Sequence, residues 1–265
     1  MPMNPRLLVP RATFDADAAA YLRAVEAADG QALETPVKRA VDDFFRGIKA
    51  DGTFSAIKAA CLLCGARTLA GALVPLFGTA PTNVADGFVE GDYTRGGATP
   101  GLKGDGTSYL DSGRANNSDP QNDKHLACYQ SAAGSPPEAL IGSIIRTPAL
   151  SVSQVFLATI PSVVGAAINS PAVKQENGSV GIGLVGAVRN AGTQTLYFAG
   201  NSYDEERESN GHHSLNTFVF ARNDEGAVSF PSDATLAFYS IGEALDLALL
   251  DARVTALVTA IGAAV

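Results

Sequence analysis

Hydrophobic residues in the first third of the chain recur at helical spacing. Those over residues 18–28 predict a short helix, for which the segment 14–17 offers an N-cap and which Asp29-Gly30 ends. A second helix is predicted from Thr35, because a proline follows it and proline suits the first helical turn. The apolar residues over 53–64 predict a third helix. Short turns between these segments indicate antiparallel helical neighbours.

After residue 81 the pattern changes to short apolar and β-branched runs separated by Gly, Asn, Asp and Ser. Such spacing is typical of a β-sandwich. Nine strands are predicted, over residues 101–104, 108–111, 125–130, 139–145, 152–159, 180–189, 193–199, 214–221 and 236–241.

Three segments carry further information on packing. Both faces of 217–222 are apolar, which indicates a central strand covered on each side. Residues 180–188 alternate glycine with aliphatic residues, so another element can approach one face closely. A helix over 243–264 is apolar on two sides and must lie between the β-domain and the N-terminal helices, or between subunits.

These patterns predict an α+β protein built on an antiparallel β-sandwich. The predicted organisation is a helical N-terminal region over 1–82, for anchoring or assembly, and a sandwich with a closing C-terminal helix over 83–265.

Composition narrows the classes of partner. The 265 residues include 19 basic and 27 acidic side chains, and the net charge of −8 predicts no direct nucleic-acid partner. A hydrophobic fraction of 46% with 17% charged residues excludes a disordered chain. The first residues contain no apolar signal core and no uncharged run reaches about 18 residues, so no membrane insertion is predicted.

Three cysteines admit several interpretations. Cys61 and Cys64 form one C-x-x-C, but no second ligand pair follows to complete a zinc site. A redox motif would need a βαβ setting. The flanking residues instead predict a helix, on which both thiols would lie on one face. With Cys128, they are best interpreted as small apolar core residues.

Specific likenesses occur at three places. Leu102-Lys103-Gly104-Asp105-Gly106-Thr107-Ser108-Tyr109-Leu110-Asp111 resembles the opening strand of concanavalin A-like (laminin-G-like) jelly rolls. The segment Ala237-Phe238-Tyr239-Ser240-Ile241-Gly242-Glu243-Ala244-Leu245-Asp246 resembles their closing strand and following helix start. Residues 15–82 resemble a helical leader that precedes such a jelly roll in uncharacterised virion proteins of tailed bacteriophages.

The resemblance implies a non-enzymatic structural component of a bacteriophage virion: a tail fibre, head fibre or capsid-decoration protein, made in the host cytoplasm. Its partners would be other virion proteins and further copies of itself, with a trimer favoured. The alternative is an adhesin module that binds carbohydrate or a host receptor, with a host surface glycan as partner. A polysaccharide hydrolase is the third possibility.

A polar segment supplies the candidate ligand-binding residues, which are Tyr203, Asp204, Glu206, Glu208 and His212. Laminarinase-type relatives of the resembled superfamily use alternating acidic residues on one strand, and the three acids here could share a face. A solvated loop is the competing interpretation, and the chain has no Trp to form a sugar platform. His212 and its neighbour His213 would face opposite ways on a strand, which argues against a shared metal.

An oxygen-rich segment offers a possible Ca²⁺ site formed by Asp105, Asp111, Asp119 and Asp123. No EF-hand spacing is present, and Asp is also a common turn former. No other cofactor is predicted.

Overall fold

A computed structural model describes residues 13–84, 87–158, 162–178 and 181–265. The α-helices in these ranges are α1 (Ala16–Asp29), α2 (Thr35–Ala50), α3 (Leu69–Ala72) and α4 (Leu247–Ala264). Short 3₁₀ turns cover Phe54–Ala56, Glu90–Asp92 and Asn116–Ser118. The strands, in chain order, are β1 (Ile57–Leu62), β2 (Pro75–Phe77), β3 (Thr82–Val84), β4 (Tyr93–Thr94), β5 (Gly101–Lys103), β6 (Tyr109–Ala115), β7 (Asp123–Ala132), β8 (Glu138–Ile145), β9 (Ser151–Ala158), β10 (Val163–Ser170), β11 (Lys174–Asn177), β12 (Gly183–Asn190), β13 (Thr193–Phe198), β14 (Asn201–Glu206), β15 (Asn216–Val219), β16 (Arg222–Asp224), β17 (Ala227–Ser229) and β18 (Thr235–Gly242).

The strands form two sheets. Sheet A has the order β14-β13-β12-β7-β18-β1-β2, with β5 paired to β18 and β4 paired to β5. Sheet B has the order β11-β10-β9-β8-β15-β6-β3, with β16 paired to β8 and β17 paired to β16. Among the described strands the pairing is antiparallel except between β16 and β8. The predicted α+β class and antiparallel β-sandwich are confirmed.

Sheet A lies between two hydrophobic cores. The inter-sheet core fills the space between the sheets and includes Leu126, Val155 and Tyr239. The helix-side core lies between sheet A and the helices and includes Phe44 and Phe238. Because Phe238 and Tyr239 are consecutive in β18, they point to opposite faces of the sheet, and both faces are buried.

The predicted helix over 53–64 is wrong, because Ile57–Leu62 is a strand. It pairs with β18 on one side and with β2 on the other. Ala60 and Leu62 point into the helix-side core, while Ala59 and Cys61 point into the inter-sheet core. A short run that is apolar on both faces lacks the alternation that distinguishes a strand from a helix.

Strands from the first 82 residues are therefore part of the sandwich. β1 and β2 lie in sheet A, and β3 crosses the predicted boundary after residue 82. The region is not helical throughout, and its division from 83–265 as a separate unit stays a prediction.

All nine predicted strand segments contain strands, with shifted ends. Thr159 and Val180, which ended two of the predictions, lie outside the described residues, as do the first twelve residues of the predicted N-terminal region. The cap of α1 is confirmed, since the Asp15 side chain accepts from the amides of residues 17 and 18. The C-terminal helix begins at Leu247 rather than at residue 243, because the side chain of Asp246 caps it there.

α4 packs against α2 and β12, which is the first of the two settings expected for it. A Cβ on Gly186 would lie 3.2 Å from Leu247 Cδ1, so the glycine-lined face of β12 does admit another element closely. The helix is long and apolar enough, by length and composition alone, to cross a membrane, with a mean hydropathy of 1.6. Its buried face nevertheless belongs to the helix-side core.

We expect Leu250→Ala to reduce the free energy of unfolding by roughly 2–5 kcal/mol, because Leu250 is 0% exposed in the helix-side core. The matched control is Leu249→Ala on the same helix, where the side chain is 40% exposed and the loss should stay under about 0.5 kcal/mol. Urea unfolding monitored by circular dichroism measures both values. Equal losses would contradict the assignment of the buried face of α4.

His125 is a buried polar residue of β7 whose ring forms hydrogen bonds at the end of β18. Its Nδ1 lies 2.6 Å from the carbonyl oxygen of Glu243, and its Nε2 lies 2.7 Å from Ser240 Oγ. Burial lowers the pKa of His125 to about 4, so the ring is neutral at pH 7.

The neutral His125 predicts a loss of stability in acid. The unfolded chain takes up the proton near pH 6.5, whereas the folded chain resists it until about pH 4. Stability is therefore complete above pH 6.5 and decreases as the pH falls from 6.5 towards 4, with a contribution of about 3 kcal/mol from this residue. Urea unfolding at several pH values between 6.5 and 5 measures the slope. His125→Gln should reduce that slope, and His213, whose pKa is also lowered to about 4 by burial, contributes the remainder. Leu249→Ala, at an exposed position, should preserve the slope, and an unchanged slope in His125→Gln would refute the assignment.

Candidate functional site

Two of the predicted ligand-binding acids lie on β14, the edge strand of sheet A. Asp204 and Glu206 are both exposed on the same face of this strand. The Asp204 carboxylate accepts a hydrogen bond of 2.7 Å from Thr195 Oγ1, and that of Glu206 accepts one from Thr193 Oγ1. These cross-strand contacts link β14 to β13.

The remaining predicted residues point elsewhere. Tyr203 stacks on Phe198 with ring centroids 5.1 Å apart and packs against the inter-sheet core. Glu208 and His212 are exposed beyond the end of β14. His213 is buried and His212 is exposed, although neither lies in a strand. The structure thus brings only Asp204 and Glu206 onto one strand face.

Each aspartate of the predicted Ca²⁺ site has its own local partners. Asp105 accepts from the backbone and hydroxyl groups of residues 107 and 108, and these hydrogen bonds help to hold its pKa at about 2. Asp111 accepts from the amide of Gly113. Asp119 is paired with Arg114, and Asp123 accepts from the amide of residue 244. Within the described residues, no three His, Cys, Asp or Glu side chains lie together in a way that could hold a metal ion.

The three cysteines are free and buried, as their interpretation as core residues requires. Cys61 lies in the inter-sheet core and Cys64 in the helix-side core, so the expectation that both thiols share one helix face is wrong. Burial raises the pKa of Cys61 to about 12 and raises the pKa values of Cys64 and Cys128 further. These thiols are therefore protonated and unreactive in the folded chain.

The outer face of sheet B presents a different candidate surface. Val155 and Leu157 of β9 belong to the inter-sheet core, so the alternating residues Gln154 and Phe156 point outward. Phe156 pairs across the strands with Gly165 on one side and Ala139 on the other. Because both neighbours are small, the ring of Phe156 stands above them.

Phe230 completes this surface from the segment that follows β17. Its ring packs edge-on against Phe156, with centroids 5.1 Å apart and planes at 85°. Phe230 is 40% exposed to solvent although its side chain is large and apolar. The Arg222 guanidinium lies over the Phe230 ring, 4.8 Å from its centroid. We call Gln154, Phe156, Gln175, Arg222 and Phe230 the aromatic patch.

Hydrogen bonds fix the guanidinium of Arg222 in the patch. It donates to Gln154 Oε1 at 3.1 Å, to Ser229 Oγ at 3.1 Å and to Asp224 Oδ2 at 3.0 Å. Asp224 is also paired with Arg146, and hydrogen bonding from that guanidinium is the main reason that the pKa of Asp224 is lowered. The guanidinium of Arg222 is thus held rigidly over Phe230, and the carboxylate of Asp224 matches its positive charge.

Gln175 borders the patch on the other side of Phe156. It is exposed and pairs with Gly165, the glycine beside Phe156. A Cβ on Gly165 would lie 2.8 Å from Val173 Cγ1 and 3.7 Å from Gln175 Cγ, so both side chains lie over the glycine. The patch therefore combines two aromatic rings with the exposed amide of Gln175, which can donate and accept hydrogen bonds.

Sequence reasoning did not single out any residue of the aromatic patch. Its members come from β9, β11, β16 and the segment after β17, which are up to about 76 positions apart in the chain. The available signal was the alternation within 151–158, which places Gln154 and Phe156 on one face. The contact with Phe230 depends on the chain reversal after β15, where Phe220 has φ of 66°.

Comparison with known proteins adds only distant likenesses. No protein-family model and no curated protein matches the chain. Among solved structures, it resembles the botulinum neurotoxin serotype D binding domain (TM-score 0.48, 12% identity, 76% of this chain and 51% of that one). It also resembles the Trypanosoma rangeli sialidase in complex with sialic acid (TM-score 0.47, 8% identity, 82% of this chain and 38% of that one). A third likeness is to the NanB sialidase of Streptococcus pneumoniae (TM-score 0.41, 12% identity, 52% of this chain and 24% of that one). The chain thus spans between a quarter and a half of these structures, and likenesses this weak carry no argument about function.

Proposed function

We propose that this chain is a non-enzymatic module that binds carbohydrate at the aromatic patch. The observation that supports the proposal is the exposed ring of Phe230, packed edge-on against Phe156 and backed by the fixed guanidinium of Arg222. The C–H faces of a sugar ring are apolar and pack on aromatic surfaces, while its hydroxyls need polar partners. Gln175 supplies such a partner beside the rings.

The charge balance of the patch favours a neutral sugar. Each nitrogen of the Arg222 guanidinium already donates to a neighbouring side chain, including the carboxylate of Asp224. Arg146 pairs with the same carboxylate, and its amide nitrogen donates to Glu225 Oε1 at 2.9 Å. Two guanidinium groups therefore lie beside two carboxylates, and an acidic sugar gains no uncompensated cation here.

The arrangement of the acids supports binding rather than hydrolysis. Asp204 and Glu206 lie on an exposed sheet edge, each hydrogen-bonded to a threonine, and Glu208 lies beyond the strand. A glycosidase needs two carboxyl groups on either side of one bound sugar bond. We therefore propose that the chain binds its sugar without hydrolysing it.

Placement of this module on a tailed-bacteriophage particle is a second proposal, which rests on the resemblance of residues 15–82 to phage virion proteins. In that setting the partners are other virion proteins and a host surface glycan, and the chain is expected to assemble as a homo-oligomer, with a trimer favoured. Electron microscopy of virions labelled through this chain tests the placement. Light scattering tests the assembly, and a strict monomer at high concentration would count against it.

The carbohydrate proposal predicts that Phe230→Ala weakens binding by about tenfold or more, because an exposed aromatic anchor carries much of the energy of such a site. A glycan array of neutral and acidic oligosaccharides identifies the strongest ligand, and isothermal titration calorimetry then gives the dissociation constant for each variant. Neutral oligosaccharides are expected to dominate.

The control is Ile182→Ala, which removes a side chain that is 68% exposed and lies outside the aromatic patch. Its dissociation constant should equal that of the unchanged chain. An equal effect of the two substitutions, or no saturable binding to any glycan, would rule out this site.

A further inference from the structure

Two cationic side chains are buried next to each other at one end of the sandwich. Lys124 and Arg189 are directly paired residues of β7 and β12, and both are 0% exposed. Alternation from Leu126 and Ala187, which lie in the inter-sheet core, places both side chains on the inner face of sheet A. Like charges directly opposite each other destabilise a sheet, so this pair needs compensation.

Neutral groups accept the hydrogen bonds of these two cations. Lys124 Nζ donates to the carbonyl oxygen of Asn116 at 2.7 Å. Arg189 donates to the carbonyl oxygens of Ile168 and Arg207, each at 2.7 Å, and to Gln194 Oε1 at 3.4 Å. Carbonyl dipoles solvate a cation but do not cancel its charge.

The nearby carboxylates are already paired. Asp119, which is 2% exposed, accepts from Arg114 Nε at 2.9 Å, and Glu205 pairs with Arg207. Among the described residues, Lys124 and Arg189 thus have no carboxylate as a hydrogen-bond partner of their own.

His213 adds a separate observation that points to a ligand. Its side chain is 6% exposed, yet within the described residues neither ring nitrogen has a hydrogen-bond partner. The backbone of His213 lies near Lys124, because the His213 amide donates to Asn116 Oδ1 at 3.3 Å and Lys124 binds the carbonyl of the same asparagine. The charge of Lys124 also acts on the His213 ring. Native proteins rarely leave buried polar groups without partners.

The protonation states suit an anion. Burial lowers the pKa of Lys124 to about 8, and the carboxylate of Asp119 opposes that shift, so the ammonium group is charged at pH 7. Burial, together with the charge of Lys124 and of His212, lowers the pKa of His213 to about 4. His213 is therefore neutral and keeps one ring N–H to donate.

We propose that Lys124 Nζ and the ring N–H of His213 bind a compact monovalent anion, of which chloride is the simplest, at this end of the sandwich. Arg189 and Arg114 add to the positive potential around it. A compact ion is required because both side chains are at least nine-tenths buried. The segment 207–212, which precedes His213, is held in place by hydrogen bonds from Asn210 to the carbonyl oxygens of Asn169 and Leu150.

The test compares thermal unfolding of the full chain in sodium bromide and in sodium gluconate at equal ionic strength, at pH 7. Bromide fits a compact site and gluconate does not. We expect the unfolding midpoint to rise saturably with bromide, by about 3 °C at ten times the dissociation constant. Lys124→Met and His213→Phe should each abolish this rise.

Lys174→Met is the matched control, because Lys174 lies on β11 and is paired with Glu176 at the surface. It should keep the bromide response of the unchanged chain. The two site variants act independently, so His213→Phe decides the question if Lys124→Met fails to fold. Crystals grown in bromide should give an anomalous peak within about 3.5 Å of Lys124 Nζ. An equal bromide response in all variants, or no anomalous peak there, would overturn the proposal.

Discussion

Burial of sheet A on both faces is the constraint on which the rest of the molecule depends. All eight residues of β18 are buried, and consecutive side chains serve different cores. Phe238 packs under the helices and Tyr239 packs between the sheets. Since α2 and α4 cover one face and sheet B covers the other, most of sheet A has no free face for a ligand.

Sheet B is the layer that can present a binding surface. Its inner face fills the inter-sheet core, and on its outer face the ring of Phe156 is partly exposed and that of Phe230 is 40% exposed. On that face Phe156 is paired with two small residues, Gly165 and Ala139. The hairpin of β16 and β17 then brings Arg222 and Phe230 over the same face, which turns a sheet surface into the aromatic patch.

The two proposed sites use opposite physical means. The aromatic patch offers exposed apolar faces and a guanidinium whose charge is matched, which suits a neutral partner. The end of the sandwich buries Lys124 beside neutral acceptors and the His213 ring, which has no hydrogen-bond partner in the part of the chain that the structure describes, and this suits a small charged partner. Burial of excess positive charge costs free energy, so a bound anion would stabilise the fold as well as occupy a site.

Prediction from sequence succeeded where periodicity is unambiguous. Regular alternation and turn residues located all nine predicted strand segments, and the cap expected within residues 14–17 located the start of α1 to within two residues. It failed at β1, because Ile57–Leu62 is apolar on both faces and such a run fits a helix equally well. For the acidic segment it identified the shared face of Asp204 and Glu206, but not that the cross-strand partners of both are threonines.

The sequence by itself determined the class of the fold, since the spacing of apolar residues and turn formers follows from local geometry. It also determined that the cysteines would behave as core residues. Only the tertiary structure decided which residues meet at a surface. Phe156 and Phe230 are 74 positions apart, and their contact depends on strand register and on one chain reversal after Val219. Register is a cooperative property of the whole sheet, so no local pattern specifies it.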